Sequence, residues 1–489
     1  MRNIRTGISV LSGLGLQAYS KDQLDSIHYA TLEVLQRTGI KVESAEAIEI
    51  FSNAGAIVER SKDFAIVKIP SYMVEDCLRW APKTATFYGR VPKHDYAIEP
   101  NRVGFSTFGE CIKVIDPFSR EVRKSVKQDV GNVALVCDYL EEMDVMVRPL
   151  CSSDQNPTTQ PLHNLEVLLE NTSKHIFIGA VSAANCRKMV EIAGISVGGP
   201  ENFKQRPNMT IFVCPTSPLT LVNNCCDVII QAARSGVGLA IIPMALAGAT
   251  STVTLAGTLV THNAEVLSAL ILAQLTVRGT PCIYCSMSTI MDLKQLIGPV
   301  GSPEHGLLGI SAVKMAQYYQ LPSWMGGGIS DSKIPDAQIG YEYTLNALLG
   351  ALSGASIVYG AGALEQGLTI DFAKLLLDAD MIRLIRQAIN GVELSDETLA
   401  LDVIHQVGPG GEFMTSEHTF QHMRQQSQPK LFNRKNRDIW SEAGAKDVSE
   451  RAYEEARFIL NNHKPEPLPK GASETIRTLI SEYEQELGI

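Results

Sequence analysis

Between Arg102 and about Asn390 the chain repeats one pattern eight times, a short apolar run followed by a segment with helical spacing. The runs are Val103–Thr107, Val145–Leu150, His175–Val181, Met209–Cys214, Leu239–Met244, Pro281–Ser286, Leu321–Met325 and Ser356–Tyr359. The segments that follow them are Lys127–Leu140, Pro161–Asn171, Asn185–Ser196, Leu219–Arg234, Leu255–Val277, Pro303–Tyr319, Asp336–Ser353 and Phe372–Ile389. Runs this short cannot be helices that stand alone, and alternation with helices implies a parallel sheet with right-handed crossovers. Eight units point to closure, so the expected fold class is α/β, a (β/α)8 TIM-type barrel. The count of eight needs Val103–Thr107 as a barrel strand. The stretch Val103–Val114 reads equally well as a hairpin, and an open doubly wound sheet is the alternative topology.

The flanks read differently. Residues 1–100 form an N-terminal α/β extension, with helices expected over Lys21–Thr38, Ser44–Ala54 and Ser71–Ala81 and a strand in Ala65–Pro70. Ser20 with Gln23 three residues on is a capping-box spacing, and Gly39 stops the first helix. Residues 101–390 form the barrel, and 391–489 a polar, helical C-terminal region. In the latter, Gln428–Trp440 is basic and irregular, Ser449–Leu460 and Ser473–Leu487 are amphipathic, and the proline-rich stretch His463–Gly471 is an extended connector. The last helix is expected across the barrel or on a partner subunit.

Formal net charge is −10 with no long run of like charge, which argues against nucleic acid as a partner. Met1–Leu16 is broken by glycine and serine and lacks a cleavage signal, and no uninterrupted apolar run reaches about 18 residues. A cytosolic protein without a membrane association is expected. The ten cysteines follow no disulfide framework. Cys282 and Cys285 form a CxxC inside a strand, where residues three apart face opposite ways, so no metal is expected there.

A barrel places its chemistry on the loops after the strands. Those loops contain Phe108–Glu110, Ser152–Asp154, Ser182, Pro215–Ser217, Ala247–Thr250, Met287 and Ser288, Gly326–Asp331 and Gly360–Gly362, mostly small residues around a wide mouth. The seventh is the richest. Three glycines, Gly326–Gly328, precede Ser330, Asp331, Ser332 and Lys333, and Pro335 and Asp336 then open a helix. Phosphate and dinucleotide loops and HExxH are not found in this sequence.

The stretch GGGISDSKIPDAQIGYEYTLNALLGALSGASIVYGAGALEQG resembles the trimethylamine methyltransferase superfamily. TSPLTLVNN (Thr216–Asn224), the run Leu246–Leu275 and GSPEHGLLG (Gly301–Gly309) resemble it in the same order. The archetype of that family carries pyrrolysine, at a position that maps near Trp324–Gly328. Ordinary residues stand there in this chain, which places it with the branch that demethylates quaternary amines such as glycine betaine. The resemblance implies the same barrel, a homo-oligomer, and a methyl transfer to the Co(I) corrinoid (a cobalamin) of a separate corrinoid protein. A D-x-H-x-x-G corrinoid signature is not found in this chain, so the cobalt is expected on the partner.

Such a reaction asks the protein to hold an ammonium lacking N–H donors, which aromatic faces and carboxylates do best. The candidates are Tyr96, Phe105, Phe108, Tyr284, Trp324, Tyr341 and Tyr359, with Glu110, Glu265 and Asp331 as charges, the last two as catalytic residues. For a substrate carboxylate, donors are expected from His262, Asn263, His305, Gln338 and the backbone around Gly327. Two other functions stay open: a lyase or aldolase using Lys333 as a Schiff-base lysine, and a non-catalytic subunit that binds the amine or the corrinoid protein.

Overall fold

The computed structural model describes residues 15–98 and 103–489; residues 1–14, within the stretch read for a signal, lie outside the described residues. The eight expected strands form one sheet: β1 (Gly104–Thr107), β2 (Met146–Val147), β3 (Ile176–Gly179), β4 (Met209–Val213), β5 (Gly238–Ile241), β6 (Cys282–Ser286), β7 (Ser323–Gly326) and β8 (Ile357–Ala361). They pair in parallel in the order β1-β8-β7-β6-β5-β4-β3-β2. A parallel bridge from Ser106 to Val145, just ahead of β2, brings the two ends of the sheet together. The barrel is therefore near-closed. Val103–Val114 is not a hairpin, because Lys113–Ile115 leaves for a separate sheet with Val122–Lys124 and Thr369–Asp371.

The crossover helices are α1 (Lys127–Tyr139), α2 (Gln160–Asn171), α3 (Ala183–Ser196), α4 (Asn223–Arg234), α5 (Leu255–Thr276), α6 (Pro303–Tyr318), α7 (Ala337–Ser353) and α8 (Phe372–Ile389). Several begin on side chains that accept the free N–H groups of the first turn. Ser182, Ser302, Asp336 and Asp371 do this for α3, α6, α7 and α8. Helix α5 is 22 residues long and an 18-residue stretch of it has a mean hydropathy of 1.4, enough in length and composition to cross a membrane. Here it is a core helix, packed between α4, α6 and the N-terminal helices.

The bore of the barrel is filled with aromatic rings. Trp324 on β7 stands edge-on to Phe177 on β3 at 4.2 Å, Phe212 on β4 at 5.4 Å and Tyr359 on β8 at 5.5 Å. Trp324 is fully buried, and burial of a side chain this large contributes about 3 kcal/mol. An antiparallel hairpin, Ala85–Phe87 with Tyr96–Ile98, closes the end where the strands begin. Its Phe87 meets Phe177 at 4.7 Å, and the Tyr96 hydroxyl donates to the Ser356 carbonyl at 3.0 Å. With that end plugged, a ligand reaches the bore from the other.

The extensions are sewn onto the barrel. Lys21–Glu33 is capped by the Ser20–Gln23 box, and Ile40–Val42 pairs in parallel with Thr220–Leu221 in the loop after β4. Helix Val448–Asn462 packs on α8 and α1, and Ala472–Leu487 on α2 and α3.

Candidate functional site

At the carboxyl ends of the strands lies a cavity of about 440 Å3. Its walls are Phe108, Gly109, Glu110, Val147, Phe212, Cys214, Pro215, Thr216, Ser217, Ile242, Met244, Thr250, Met287 and Tyr359. Phe212 and Tyr359 form the floor directly above Trp324. Phe108 stacks parallel to Tyr359 at 6.0 Å. The lining is thus apolar and aromatic, with hydroxyls from Thr216, Ser217, Thr250 and Tyr359 and one carboxylate, Glu110.

Glu110 is held in an unusual way. Its φ is +76°, a left-handed conformation that costs a residue with a Cβ about 1–3 kcal/mol. Its carboxylate pairs with the buried Arg148 guanidinium, yet half of the Glu110 side chain stays exposed. A Cβ at Gly179 would lie 3.0 Å from Glu110 Oε1, so the glycine ending β3 leaves space for this carboxylate. The mouth therefore presents a carboxylate, paired on one side with Arg148, fixed beside aromatic faces. An organic cation is attracted by both, the rings through their quadrupoles.

The floor carries a second signal. The Tyr359 hydroxyl and Trp324 Nε1 are both buried, and neither has a hydrogen-bond partner. A buried unpaired donor costs about 1–3 kcal/mol. Burial pushes the Tyr359 phenol well above its usual range, so it keeps its proton and remains a donor. Both donors are sealed from solvent in the ring layer beneath the cavity, so an acceptor brought by a ligand meets them only as that layer adjusts to it.

Of the residues expected at the site, Phe108, Glu110 and Tyr359 line the cavity and Trp324 lies beneath it. The others stand elsewhere. Tyr96 is in the plug at the opposite end. Phe105 faces outward, with the Arg386 guanidinium 5.4 Å from its ring centroid. Tyr284 also faces outward and donates to Asn263, which in turn donates to Thr31 and to the Tyr319 hydroxyl. That network ties α5 and α6 to the N-terminal helix. His262 bonds Ser288 Oγ, and His305 bonds the Ser288 carbonyl; burial pushes their imidazoles down to about 3 and about 4, so both are neutral. Gln338 is exposed and donates to Glu342, and Tyr341 is exposed on α7.

The glycine loop is also committed. The amides of Gly327 and Gly328 both donate to the Tyr359 carbonyl, so they are not open to a substrate carboxylate. Asp331 accepts from the amides of Val300 and Gly301, bracing the loop after β6, and burial raises its carboxyl. Glu265 lies one layer behind the cavity wall. It accepts from Ser217 Oγ at 2.8 Å and from the Leu219 amide at 2.9 Å, fixing the Thr216–Thr220 loop, and burial raises it to about 7. Lys333 is exposed and donates to the Asp331 carbonyl, which leaves no buried lysine for a Schiff base there. The buried lysine beside the glycines is Lys374, held by the Gly328 carbonyl and Asp378.

Reading loops alone missed Val147, Phe212, Cys214, Ile242 and Met244. Phe212 and Cys214 lie in or beside the apolar run of β4, two residues apart, and a strand aims such residues to one face. Among the described residues no group of three histidine, cysteine or acidic side chains gathers to hold a metal. On β6, Cys282 meets Gln274 in the helix layer, whereas Cys285 lies near Cys214 and Tyr359 in the bore.

Fold and cavity together define a (β/α)8-barrel protein whose mouth suits a small organic cation. The family described as Trimethylamine methyltransferase (MTTB) matches residues 10–488. The chain belongs to that family of methyltransferases. It is 48% identical over 486 residues to the trimethylamine methyltransferase MttB of Desulfitobacterium hafniense (strain DSM 10664 / DCB-2), covering 99% of this chain and 98% of that protein. It is 38% identical to MttB of Methanosarcina thermophila, over 95% of this chain and 97% of that one. A glycine betaine methyltransferase of D. hafniense (strain Y51) is 29% identical over 96% and 97% of the two chains. The crystal structure of the Methanosarcina barkeri monomethylamine methyltransferase MtmB superposes with a TM-score of 0.54 at 12% identity, covering 94% of this chain and 93% of that one. That likeness bears on the fold.

Proposed function

We propose that this protein transfers a methyl group from a quaternary amine, glycine betaine first among them, to the Co(I) corrinoid of a separate carrier protein, releasing dimethylglycine. The observation that carries the reading is the pair of unpartnered donors, Tyr359 O–H and Trp324 Nε1–H, under an aromatic cavity with one carboxylate. A betaine has an acceptor at one end and a permanent cation at the other. With its carboxylate on the floor donors, its trimethylammonium rests beside Phe108 and Phe212 within reach of Glu110. One N-methyl then points out of the mouth.

That orientation is what the transfer requires. The electron pair that accepts the methyl group is supplied by Co(I) on the carrier; the C–N bond breaks and its electrons stay on nitrogen. The substrate nitrogen is already cationic, so the amine leaves neutral without taking a proton, and no acid is asked of the protein. The chain's part is to aim the methyl and keep water from it. The rim is suited to a protein visitor. Val253, Leu293 and Leu296 are apolar and more than 60% exposed on the loops after β5 and β6. Glu265 acts through Ser217, as a positioning residue for the cavity wall.

A second reading is trimethylamine, named as the substrate of the 48%-identical relative. Its ammonium N–H would donate to Glu110, and the floor donors would stay unpaired. The test is to mix the protein with Co(I) cobalamin, or with the reduced cognate carrier, and follow loss of Co(I) absorbance. Glycine betaine, trimethylamine, carnitine, choline and proline betaine are compared. Turnover with betaine is expected. Turnover with trimethylamine and not with betaine would replace the first reading by the second, and none with any amine would remove both.

A further inference from the structure

Residues 391–425 fold without a core of their own. Short helices at Asp396–Leu399, Leu401–Val407 and Glu417–His422 and a 3-10 turn at Met423–Gln425 follow one another there, yet no residue from 391 to 425 is buried. Helices shorter than about 12–15 residues are marginal in water by themselves. Small folded units that lack a core are stapled by disulfides or by a metal ion. The last cysteine of the chain is Cys285, so this segment has no disulfide to draw on.

One cluster of side chains in the segment has the geometry of a metal staple. His418 and His422 are one turn apart on the same face of their helix, the i, i+4 spacing of a zinc-binding histidine pair. Their ring centroids are 4.3 Å apart and the planes are tilted by 37°. Nε2 of each ring is closed to solvent and has no hydrogen-bond partner. Two buried nitrogens in that state carry a cost in free energy that a bound ligand would offset. Glu397, on the first of the short helices, brings Oε1 to 3.5 Å from His422 Nε2 without a hydrogen bond between them. With bonds of about 2.1 Å from zinc to nitrogen and oxygen, the edge of a tetrahedral site is about 3.4 Å. The separation is that of two ligands on one ion.

We propose that His418, His422 and Glu397 bind one Zn2+ or a similar transition-metal cation, which staples the segment. Glu397 as it stands reaches His422 and not His418; its side chain is 74% exposed, and a turn of it completes the set, with water as fourth ligand. Charge favours a cation, since residues 391–423 hold six acidic side chains and no lysine or arginine. Two imidazoles and a carboxylate select zinc over calcium and magnesium, which take oxygen ligands. The role is structural. Gln387, near the end of α8 and so at the end of the barrel where the strands begin, donates to the Gln425 carbonyl, which sets the ion away from the cavity.

The test is zinc binding by the full chain, stripped of metal, kept reduced and titrated against a chromophoric zinc competitor. One equivalent per chain is expected. His418→Ala with His422→Ala should lose it, while circular dichroism stays native because neither residue belongs to a core. All ten cysteines remain in that variant, so zinc held by thiols would persist in it. Losing even an outer partner of a bound metal costs about 10–100-fold, so Glu397→Gln should weaken binding by about 10-fold or more. Chymotrypsin reads the staple itself. Phe413 and Phe420 are exposed, and cleavage there should slow when zinc is added to the parent and not when it is added to the double variant. No zinc bound by the parent at micromolar concentration, or zinc bound equally by parent and double variant, would overturn the proposal. So would zinc held by the histidines without any protection of the segment.

Discussion

Replacing Tyr359 by phenylalanine removes one hydroxyl from the cavity floor and keeps the ring that packs on Trp324 and Phe108. In the free protein that hydroxyl is buried and unpaired. Its loss relieves a desolvation penalty of about 1–3 kcal/mol, so the variant should be at least as stable as the parent. With betaine bound, the same hydroxyl donates to a carboxylate. A hydrogen bond to a charged group is worth about 1.5–3 kcal/mol, which predicts a rise in KM of roughly 10–150-fold. The assay is Co(I) consumption against betaine concentration, with choline and tetramethylammonium as cations lacking the carboxylate. These two should change by less than about 3-fold, since nothing they use is removed. An equal loss for betaine and tetramethylammonium would refute the reasoning, because the effect would then be on the cation or on the shape of the floor. So would no loss for betaine.

Three further predictions rest on neighbouring groups. Glu110→Gln removes the fixed charge at the mouth, and kcat/KM for every cationic substrate should fall by about 10-fold or more, measured at low and high salt since the charge is half-exposed. Phe108→Leu keeps an apolar wall without the quadrupole, and KM for betaine and for tetramethylammonium should rise together by about 2–10-fold. Glu265 is raised by burial from 4.5 to about 7. A carboxyl raised in the folded state contributes stability that is full below 4.5 and is lost as pH rises through about 7, up to about 3 kcal/mol in all. Melting temperature should therefore fall between pH 5 and pH 8, and Glu265→Gln should flatten that fall.

The strands were legible because each apolar run is short and each is followed by a long helical segment, a pattern few folds accommodate. Placement of side chains was less legible, for two reasons. A strand sends neighbours to opposite faces, so Phe105 falls outside the barrel against Arg386 while Phe212 falls inside. Composition does not carry that register. His262 and Asn263 were expected to donate to a substrate carboxylate. Their partners are Ser288, Thr31 and Tyr319, and Thr31 lies 232 residues from Asn263 in sequence. Local pattern cannot reveal a partner that far away. Glu110 was read as a mouth charge from its place after the first strand, and the structure puts it there. Its left-handed backbone and its pairing with Arg148 were not readable.

The cavity brings a strained backbone and unpaired buried donors together in one place. Glu110 sits in a strained conformation, and Tyr359 and Trp324 hold donors away from any acceptor. Other buried polar groups are paired, as in the Asn263 network or at Asp380, although some, such as Asn164 Nδ2, Asn208 Oδ1, His262 Nε2 and His305 Nε2, are not. Strain and unpaired donors persist in a native protein when a ligand repays them. Such a site should announce its ligand by stability alone, with no corrinoid present. A ligand that binds only the folded state adds about 2.7 kcal/mol at a concentration 100 times its Kd. Glycine betaine should therefore raise the melting temperature of the protein, and Tyr359→Phe should start higher and gain less. Tetramethylammonium, which reaches Glu110 and the rings but not the floor, should shift parent and variant alike. If trimethylamine stabilised both proteins equally and betaine neither, the carboxylate would have no place on the floor. The orientation argued from it would fall, while methyl transfer from an amine would stand.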